Sequence, residues 1–173
     1  MKYSANNFFK FCPRCGEAYR RQNRKGILAC AHCKFQFFQN SKPTASALFE
    51  DRFGRVLLVK RAVDPKKGWW DTPGGFLDDG ESPIAGLRRE IKEELGVTLA
   101  DIRFFGMYID IYRYGYDVYT LNVVYLAKIN SGRLVAKDDV SAYRWFAPKD
   151  IPTKQLGFPW LKPALKDWIR SRK

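Results

Sequence analysis

Three glutamates in the middle of the chain, Glu90, Glu93 and Glu94, have the spacing of metal ligands on a helix. The flanking residues predict that helix, because Ser82 is a favoured N-cap and Gly96 is a favoured terminator. On it Glu90 and Glu94 lie one turn apart, whereas Glu93 lies further towards solvent. Carboxylates this close repel one another unless a cation lies among them, and hard oxygen ligands favour Mg2+ or Mn2+ over zinc. The alternative is an ordinary acidic surface helix with local ion pairs.

One side of this helix, with Glu90 and Glu94 along its edge, is expected to pack against a core. Four aliphatic residues recur at helical spacing and form one predicted apolar stripe: Ile84, Leu87, Ile91 and Leu95. Arg89 can reach Glu93 at the next turn, and Glu81 offers it a second partner. Upstream, Gly74 and Gly75 let the backbone pass close to a ligand or offer a carbonyl oxygen to a metal.

The residues from Gly75 to Val97 resemble a known signature, the Nudix box. They read Gly75-(five residues)-Glu81-(seven residues)-Arg89-Glu90-Ile91-Lys92-Glu93-Glu94-Leu95-Gly96-Val97, and they agree with G-x5-E-x7-R-E-U-x-E-E-x-G-U at every defined position. The resemblance runs from about Thr44 to about Pro152. It implies an α/β fold, built as an α/β/α sandwich with a mixed sheet. It also implies hydrolysis of a nucleoside diphosphate linked to another moiety.

The resemblance further implies roles in an attack by water on a phosphorus of the pyrophosphate, with divalent metals offsetting the charge. Glu90 and Glu94 correspond to the principal metal ligands. Glu93 corresponds to a third ligand or a helper in activating water, and the Gly75 carbonyl can complete the metal shell. Arg89 and Glu81 correspond to residues that orient the cluster. The candidates for the general base are Asp138 and Asp139, which precede the last predicted strand.

A second candidate metal site lies near the N-terminus. Cys12 and Cys15 form one Cys-x-x-Cys pair, and Cys30 and Cys33 form another after fourteen intervening residues. Four thiolates at this spacing can surround one tetrahedral Zn2+, with chance spacing or a redox pair as the alternatives. A four-cysteine site leaves no open position, so the zinc is expected to be structural. His32, the only histidine, is interpreted as a bystander.

The predicted organisation is a zinc ribbon over residues 1–42 and a Nudix-type domain with a C-terminal helix over residues 43–173. Runs rich in β-formers are predicted strands: Thr44–Phe49, Arg55–Lys60, Ile102–Ile111, Tyr116–Ala127 and Ala142–Phe146. Apolar residues at helical spacing predict a closing amphipathic helix over Pro159–Arg170. Strands mixed with two helices favour an α+β or α/β sandwich.

The sequence says less about the moiety beyond the pyrophosphate. A zinc ribbon ahead of a Nudix-type domain resembles the NADH pyrophosphatase branch. The S-Q-P-W-P-F-P-type motif of that branch is absent from Phe104–Asn122, and Phe158-Pro159-Trp160 lies in the wrong place to replace it. The chain looks closer to ribbon-bearing proteins described as ADP-ribose or NDP-sugar pyrophosphatase-like. Trp69 or Tyr116 could stack a base, whereas most of the tyrosines are expected to pack the sheet.

The net charge of +13 favours polyanionic partners, although a solvated basic surface is the plainer interpretation. Residues 1–45 carry nine lysines and arginines against one acidic residue, Glu17. In one hypothesis the ribbon only stabilises the fold, or a homodimer contact, of a small-molecule hydrolase. In the other it binds RNA and presents a capped or triphosphorylated 5′ end.

The expected location is the cytoplasm, without membrane contact. No apolar run approaches the roughly 18 residues that span a bilayer. The segment Met1–Lys10 is polar apart from Phe8 and Phe9, so it lacks the apolar core of a signal peptide.

Overall fold

The computed structural model describes residues 9–19, 27–114 and 116–172, without the side chains of Tyr114 and Tyr116. The chain divides into two compact units, Met1–Ser41 and Lys42–Lys173. The first unit contains an antiparallel pair of short strands, β1 (Ile27–Ala29) and β2 (Gln36–Phe38).

The second unit contains strands and helices in mixed order. In chain order they are β3 (Lys42–Phe49), β4 (Val56–Arg61), β5 (Trp70–Asp71), β6 (Gly74–Phe76), α1 (Pro83–Leu95), β7 (Thr98–Tyr114), β8 (Tyr116–Ser131), β9 (Val140–Phe146) and α2 (Leu161–Ser171). One sheet has the order β6-β3-β8-β7, in which β3 and β8 are parallel and the other pairs are antiparallel. The other sheet, β5-β4-β9, is antiparallel. The predicted α/β class and mixed sheet are confirmed.

Each helix covers one of two hydrophobic cores. Successive side chains of a strand point to opposite faces, and both faces of β3 and β4 carry buried apolar residues. The core under α1 takes one set of strand residues: Ala45, Ala47, Phe49, Leu57 and Val59. The core under α2 takes the alternate set: Leu48, Val56 and Leu58, together with Val124 and Phe146. Strands buried on both faces therefore lie between the two helices, which is the sandwich that the resemblance implies.

The ends of α1 lie where the capping residues predict them. The Ser82 hydroxyl accepts a hydrogen bond from the Ala85 N–H (3.3 Å), and Gly96 ends the helix in the left-handed region, with φ of 71°. One member of the predicted apolar stripe is wrong, because Ile84 is 44% exposed. Its angular position on the helix is right, but burial begins only at Gly86, so the first turn extends beyond the core.

The strands that follow α1 are longer than predicted. β7 and β8 pair along a hairpin from Thr98 to Ser131, where the two terminal hydroxyls are 2.7 Å apart. Cross-strand pairing therefore extends the strands past their runs of β-formers. α2 begins at Leu161, two residues after the predicted start. Among the described residues, no helix has both the length and the apolar character needed to cross a bilayer.

The contrast between two isoleucines of α1 tests the packing. Ile91→Ala should lower the free energy of unfolding of the second unit by about 2–5 kcal/mol, because Ile91 is fully buried. The matched change Ile84→Ala should cost no more than about 0.5 kcal/mol, because that side chain is exposed. Urea unfolding followed by tryptophan fluorescence measures both, since all five tryptophans lie in the second unit. Equal losses would contradict this packing.

Candidate functional site

A single guanidinium, that of Arg89, connects the acidic residues along the edge of α1. Its Nε and Nη2 donate to the two carboxylate oxygens of Glu81, at 3.1 and 2.9 Å. Its Nη1 donates to Glu90 at 2.8 Å and to Glu93 at 3.2 Å, and Nη2 also donates to the Phe76 carbonyl at 3.1 Å. These bonds raise the pKa of Arg89 and lower the pKa of Glu81. Arg89 therefore holds three carboxylates and the preceding strand in one arrangement.

The glycine pair of β6 lets the backbone approach these acids. A Cβ on Gly74 would collide with the Ala45 carbonyl oxygen, and Gly74 has a φ of 126° that side chains rarely adopt. A Cβ on Gly75 would lie 2.6 Å from the carboxylate atoms of Glu90. The Gly74 N–H donates to Glu94 at 2.8 Å. Gly74 therefore needs to be glycine, and a side chain at position 75 would displace the carboxylate of Glu90, a candidate metal ligand.

Glu94 is the most unusual carboxylate of the site, because only 7% of it is exposed. Burial raises its pKa well above the usual range, although the Gly74 N–H lowers it in part. The negative charges of Glu90, Asp71 and Asp139 raise it further. Burial also raises the pKa of Glu90, against the lowering effect of Arg89. A buried carboxylate surrounded by others is stabilised strongly by a divalent cation, so this donor set fits one.

The carboxylates open into a pocket of about 280 Å3. Its wall comes from both sheets, from α1 and from the segment before α2. Six acidic residues line it: Asp71, Asp78, Glu90, Glu94, Asp110 and Asp139. Among the described residues that line it, Arg61 is the only basic one. Such a pocket is strongly negative, and a phosphate-bearing ligand needs added cations to enter it.

The two candidate bases differ in their position. Asp139 lines the pocket and its charge acts on Glu94, whereas Asp138 is not among the lining residues and takes a positive φ of 51°. Glu93 is also outside the lining, and its side chain is 47% exposed beside Arg89. Glu90, Glu94 and Asp139 thus line one pocket, whereas Glu93 and Asp138 lie outside its lining.

Of the two candidates for base stacking, only Trp69 has a described side chain. Trp69 is not among the lining residues, and the Lys66 amine covers its ring at 4.5 Å from the centroid. The side chain of Tyr116 lies outside the described residues. The aromatic residues that do line the pocket come from three separate segments: Phe76, Tyr112, Phe158 and Trp160. Tyr112 and Phe158 stack with centroids 5.7 Å apart, a contact between residues too distant in sequence for any local pattern to indicate.

The four cysteines of the first unit lie in one cluster. The Sγ atoms of Cys12 and Cys33 are 3.7 Å apart, as are those of Cys15 and Cys30, and all four lie within 4.8 Å of one another. Four thiolates around a tetrahedral Zn2+ at about 2.3 Å have sulfurs about 3.8 Å apart, so the arrangement fits zinc.

The two cysteine knuckles share one backbone geometry. In each, the residue after the second cysteine donates its N–H to the carbonyl of the first: Gly16 to Cys12 at 2.9 Å and Lys34 to Cys30 at 3.1 Å. Both donors have positive φ, 75° and 61°. This tight turn brings each pair of thiols to the same side of its loop.

Comparison with known proteins places these features in a wider group. Residues 40–168 match the family model described as the NUDIX domain. A solved NUDIX hydrolase from Nitrosomonas europaea has a TM-score of 0.73 and 25% identity to this chain, covering 95% of this chain and 92% of that one.

Two curated relatives differ in how much of their length is matched. The ADP-ribose pyrophosphatase of Methanocaldococcus jannaschii is 28% identical over 151 residues, covering 87% of this chain and 86% of that protein. The NAD-capped RNA hydrolase NudC of Haemophilus influenzae is 31% identical over 100 residues, covering 56% of this chain. The match spans only 37% of the NudC protein.

Proposed function

Because the chain belongs to the NUDIX family, we propose that it is a Mg2+- or Mn2+-dependent pyrophosphohydrolase of nucleoside diphosphates linked to another moiety. The observation that carries the proposal is the burial of Glu94 among three other carboxylates in an open pocket. The relative matched along most of its length is an ADP-ribose pyrophosphatase, and NAD contains the same ADP-ribosyl group. ADP-ribose, NDP-sugars and NAD(H)-like compounds are therefore the proposed substrate class.

The proposed metal ligands are Glu90, Glu94 and the Gly75 carbonyl, with Glu93 as a third carboxylate at the solvent side. A divalent ion held there supplies Lewis-acid stabilisation of phosphoryl oxygens and a lowered pKa for bound water. Arg89 fixes Glu90 and Glu93, and Glu81 fixes Arg89. The protein thereby provides carboxylates that need little rearrangement during the reaction.

Asp139 is the proposed general base, in preference to Asp138. Its carboxylate is on the pocket wall, where it can accept a proton as the water oxygen bonds to phosphorus. The bridging phosphorus–oxygen bond then breaks, and the leaving phosphate carries the electron pair away. ADP-ribose would give AMP and ribose 5-phosphate.

A second candidate function is hydrolysis at the 5′ end of RNA. The similarity to a NAD-capped RNA hydrolase and the basic residues 1–45 favour it. Bound RNA releases cations from its phosphates, so kcat/KM for NAD-capped RNA would fall steeply with salt while that for free NAD would not. A panel of ADP-ribose, NDP-sugars, NADH and NAD-capped RNA, assayed at two salt concentrations, distinguishes the two functions.

The four cysteines are proposed to bind one structural Zn2+, in a protein located in the cytoplasm where thiols stay reduced. A zinc site with four protein ligands leaves no position for substrate, so the zinc would be structural. Its binding would supply folding energy to a small unit.

The role of Glu94 is tested by an isosteric change. Glu94→Gln should lower Mg2+-dependent kcat on ADP-ribose by about 10²- to 10⁴-fold, because it removes one negative ligand and keeps the acceptor for the Gly74 N–H. Glu50→Gln is the control, since Glu50 pairs with Arg172 outside the pocket. Turnover within a few-fold of wild type for Glu94→Gln, with the fold intact by circular dichroism, would refute the assignment.

The zinc proposal has a matched pair of variants within one knuckle. Wild type and His32→Ala should each release about one equivalent of Zn2+ when the thiols are blocked, because four thiolates complete a tetrahedral site. Cys33→Ser should bind zinc weakly. The measurement is a metal-indicator titration of purified protein. Stoichiometric, tightly held zinc in Cys33→Ser, or loss of zinc from His32→Ala, would show that the ligand set is different.

A further inference from the structure

Arg61, at the end of β4, is the one basic residue among the described residues that line the pocket. Its Nε donates to the Pro65 carbonyl at 2.8 Å, and its Nη1 donates to Asp71 at 3.3 Å. The guanidinium carbon lies 5.1 Å from the centroid of the Phe158 ring. Three different groups thus hold one cation at the wall of an acidic pocket.

The guanidinium retains hydrogen-bonding capacity after these contacts. It has five N–H donors, and Nη2 donates to no acceptor among the described residues. The side chain is 17% exposed, so the group is largely desolvated while remaining on the pocket wall. A fork of this kind matches the geometry of phosphoryl oxygens.

The contacts of Phe158 indicate that it holds the Arg61 guanidinium in place. One contact of its ring is Tyr112, stacked at an interplanar angle of 26°, and another is the Arg61 guanidinium. Phe158 lies in the segment before α2, and Arg61 lies at the end of β4. A residue of the C-terminal segment therefore packs against the Arg61 guanidinium. Its packing restricts the rotamers of Arg61, which lowers the entropy lost when a ligand binds.

From these contacts we propose that Arg61 binds phosphoryl oxygens of the substrate's pyrophosphate, and that Phe158 is its positioning residue. This rests on the proposed function. It adds a residue outside the Glu-rich helix that determines affinity for the diphosphate itself. The competing explanation is that Arg61 only neutralises the buried Asp71, whose pKa burial raises to about 6.

Arg61→Gln should raise KM for ADP-ribose by about 10- to 100-fold with little change in kcat, because a charge-assisted hydrogen bond of the bound substrate is lost. Arg61→Lys should recover part of the loss, since it keeps the charge without the planar fork. Phe158→Leu should give a smaller rise in KM. The control is Arg55→Gln, immediately before the same strand, because Arg55 also pairs with an aspartate (Asp51, 2.6 Å) but lies outside the pocket lining.

The double variant Arg61→Gln/Asp71→Asn separates binding from charge balance. If Arg61 binds substrate, the double variant should regain the melting temperature of wild type and keep the raised KM. Recovery of KM together with melting temperature would show that Arg61 only balances Asp71, and it would overturn the proposal. An unchanged KM in Arg61→Gln would overturn it as well.

Binding of inorganic pyrophosphate tests Arg61 without turnover. Calorimetry with Ca2+ present should show weaker pyrophosphate binding by Arg61→Gln than by wild type, and an equal Kd would refute the proposal. A wild type that binds pyrophosphate through Arg61 but hydrolyses no member of the substrate panel would refute the proposed activity and leave the assignment of Arg61 supported.

Discussion

The crowding of negative charge at the edge of α1 is the constraint to which the rest of the second unit responds. Glu90, Glu93 and Glu94 lie within about one turn of helix, where like charges destabilise one another. Arg89 reduces this cost by donating to two of them, and the Gly74 N–H donates to the third. Protein groups therefore help to orient all three carboxylates.

The buried glutamate couples the site to the hydrophobic core. Glu94 is a neighbour of Ile91 and Leu95 on α1, both fully buried, so the position of its backbone depends on how the helix packs on the sheet. Gly74, its donor, is pressed against the Ala45 carbonyl of β3. The packing of α1 on β3 and β6 therefore determines where Glu94 lies. Substitutions that shift this packing are expected to affect metal ligands that they do not touch.

Sequence patterns predict those parts of the site that are local in the chain. Ser82, Gly96 and the spacing of the glutamates determine the helix and the face on which the acids lie, because caps and helical periodicity act within a few residues. The exposure of Ile84 could not be read in this way, since it depends on where the sheet ends. The sequence also does not indicate that Asp139, and not Asp138, lines the pocket. The two are adjacent aspartates in a loop, and which of them faces the pocket depends on backbone angles that tertiary contacts impose.

The aromatic part of the pocket wall escaped prediction for a related reason. Tyr112 comes from β7 and Phe158 from the segment before α2, and only the folded hairpin and the docked helix bring them into contact. Trp69 is a suitable stacking residue by type, yet its ring lies under the Lys66 amine and is not part of the described pocket wall. A single sequence contains no signal for the contact between Tyr112 and Phe158. The pattern of β7 and that of α2 each reflect only how that element packs on its own core.

The size and charge of the pocket together limit what it can recognise. At about 280 Å3 it lies near the lower end of ligand sites, which are typically about 300–1,000 Å3. Six acids and one arginine line it, so the part of a ligand that enters deepest must bring or meet positive charge. A metal-bound pyrophosphate satisfies that condition, whereas an uncharged base or sugar gains little there. Discrimination between the groups attached to the two phosphates is therefore expected at the aromatic rim, where Phe76 packs edge-on against Tyr112 and remains 40% exposed.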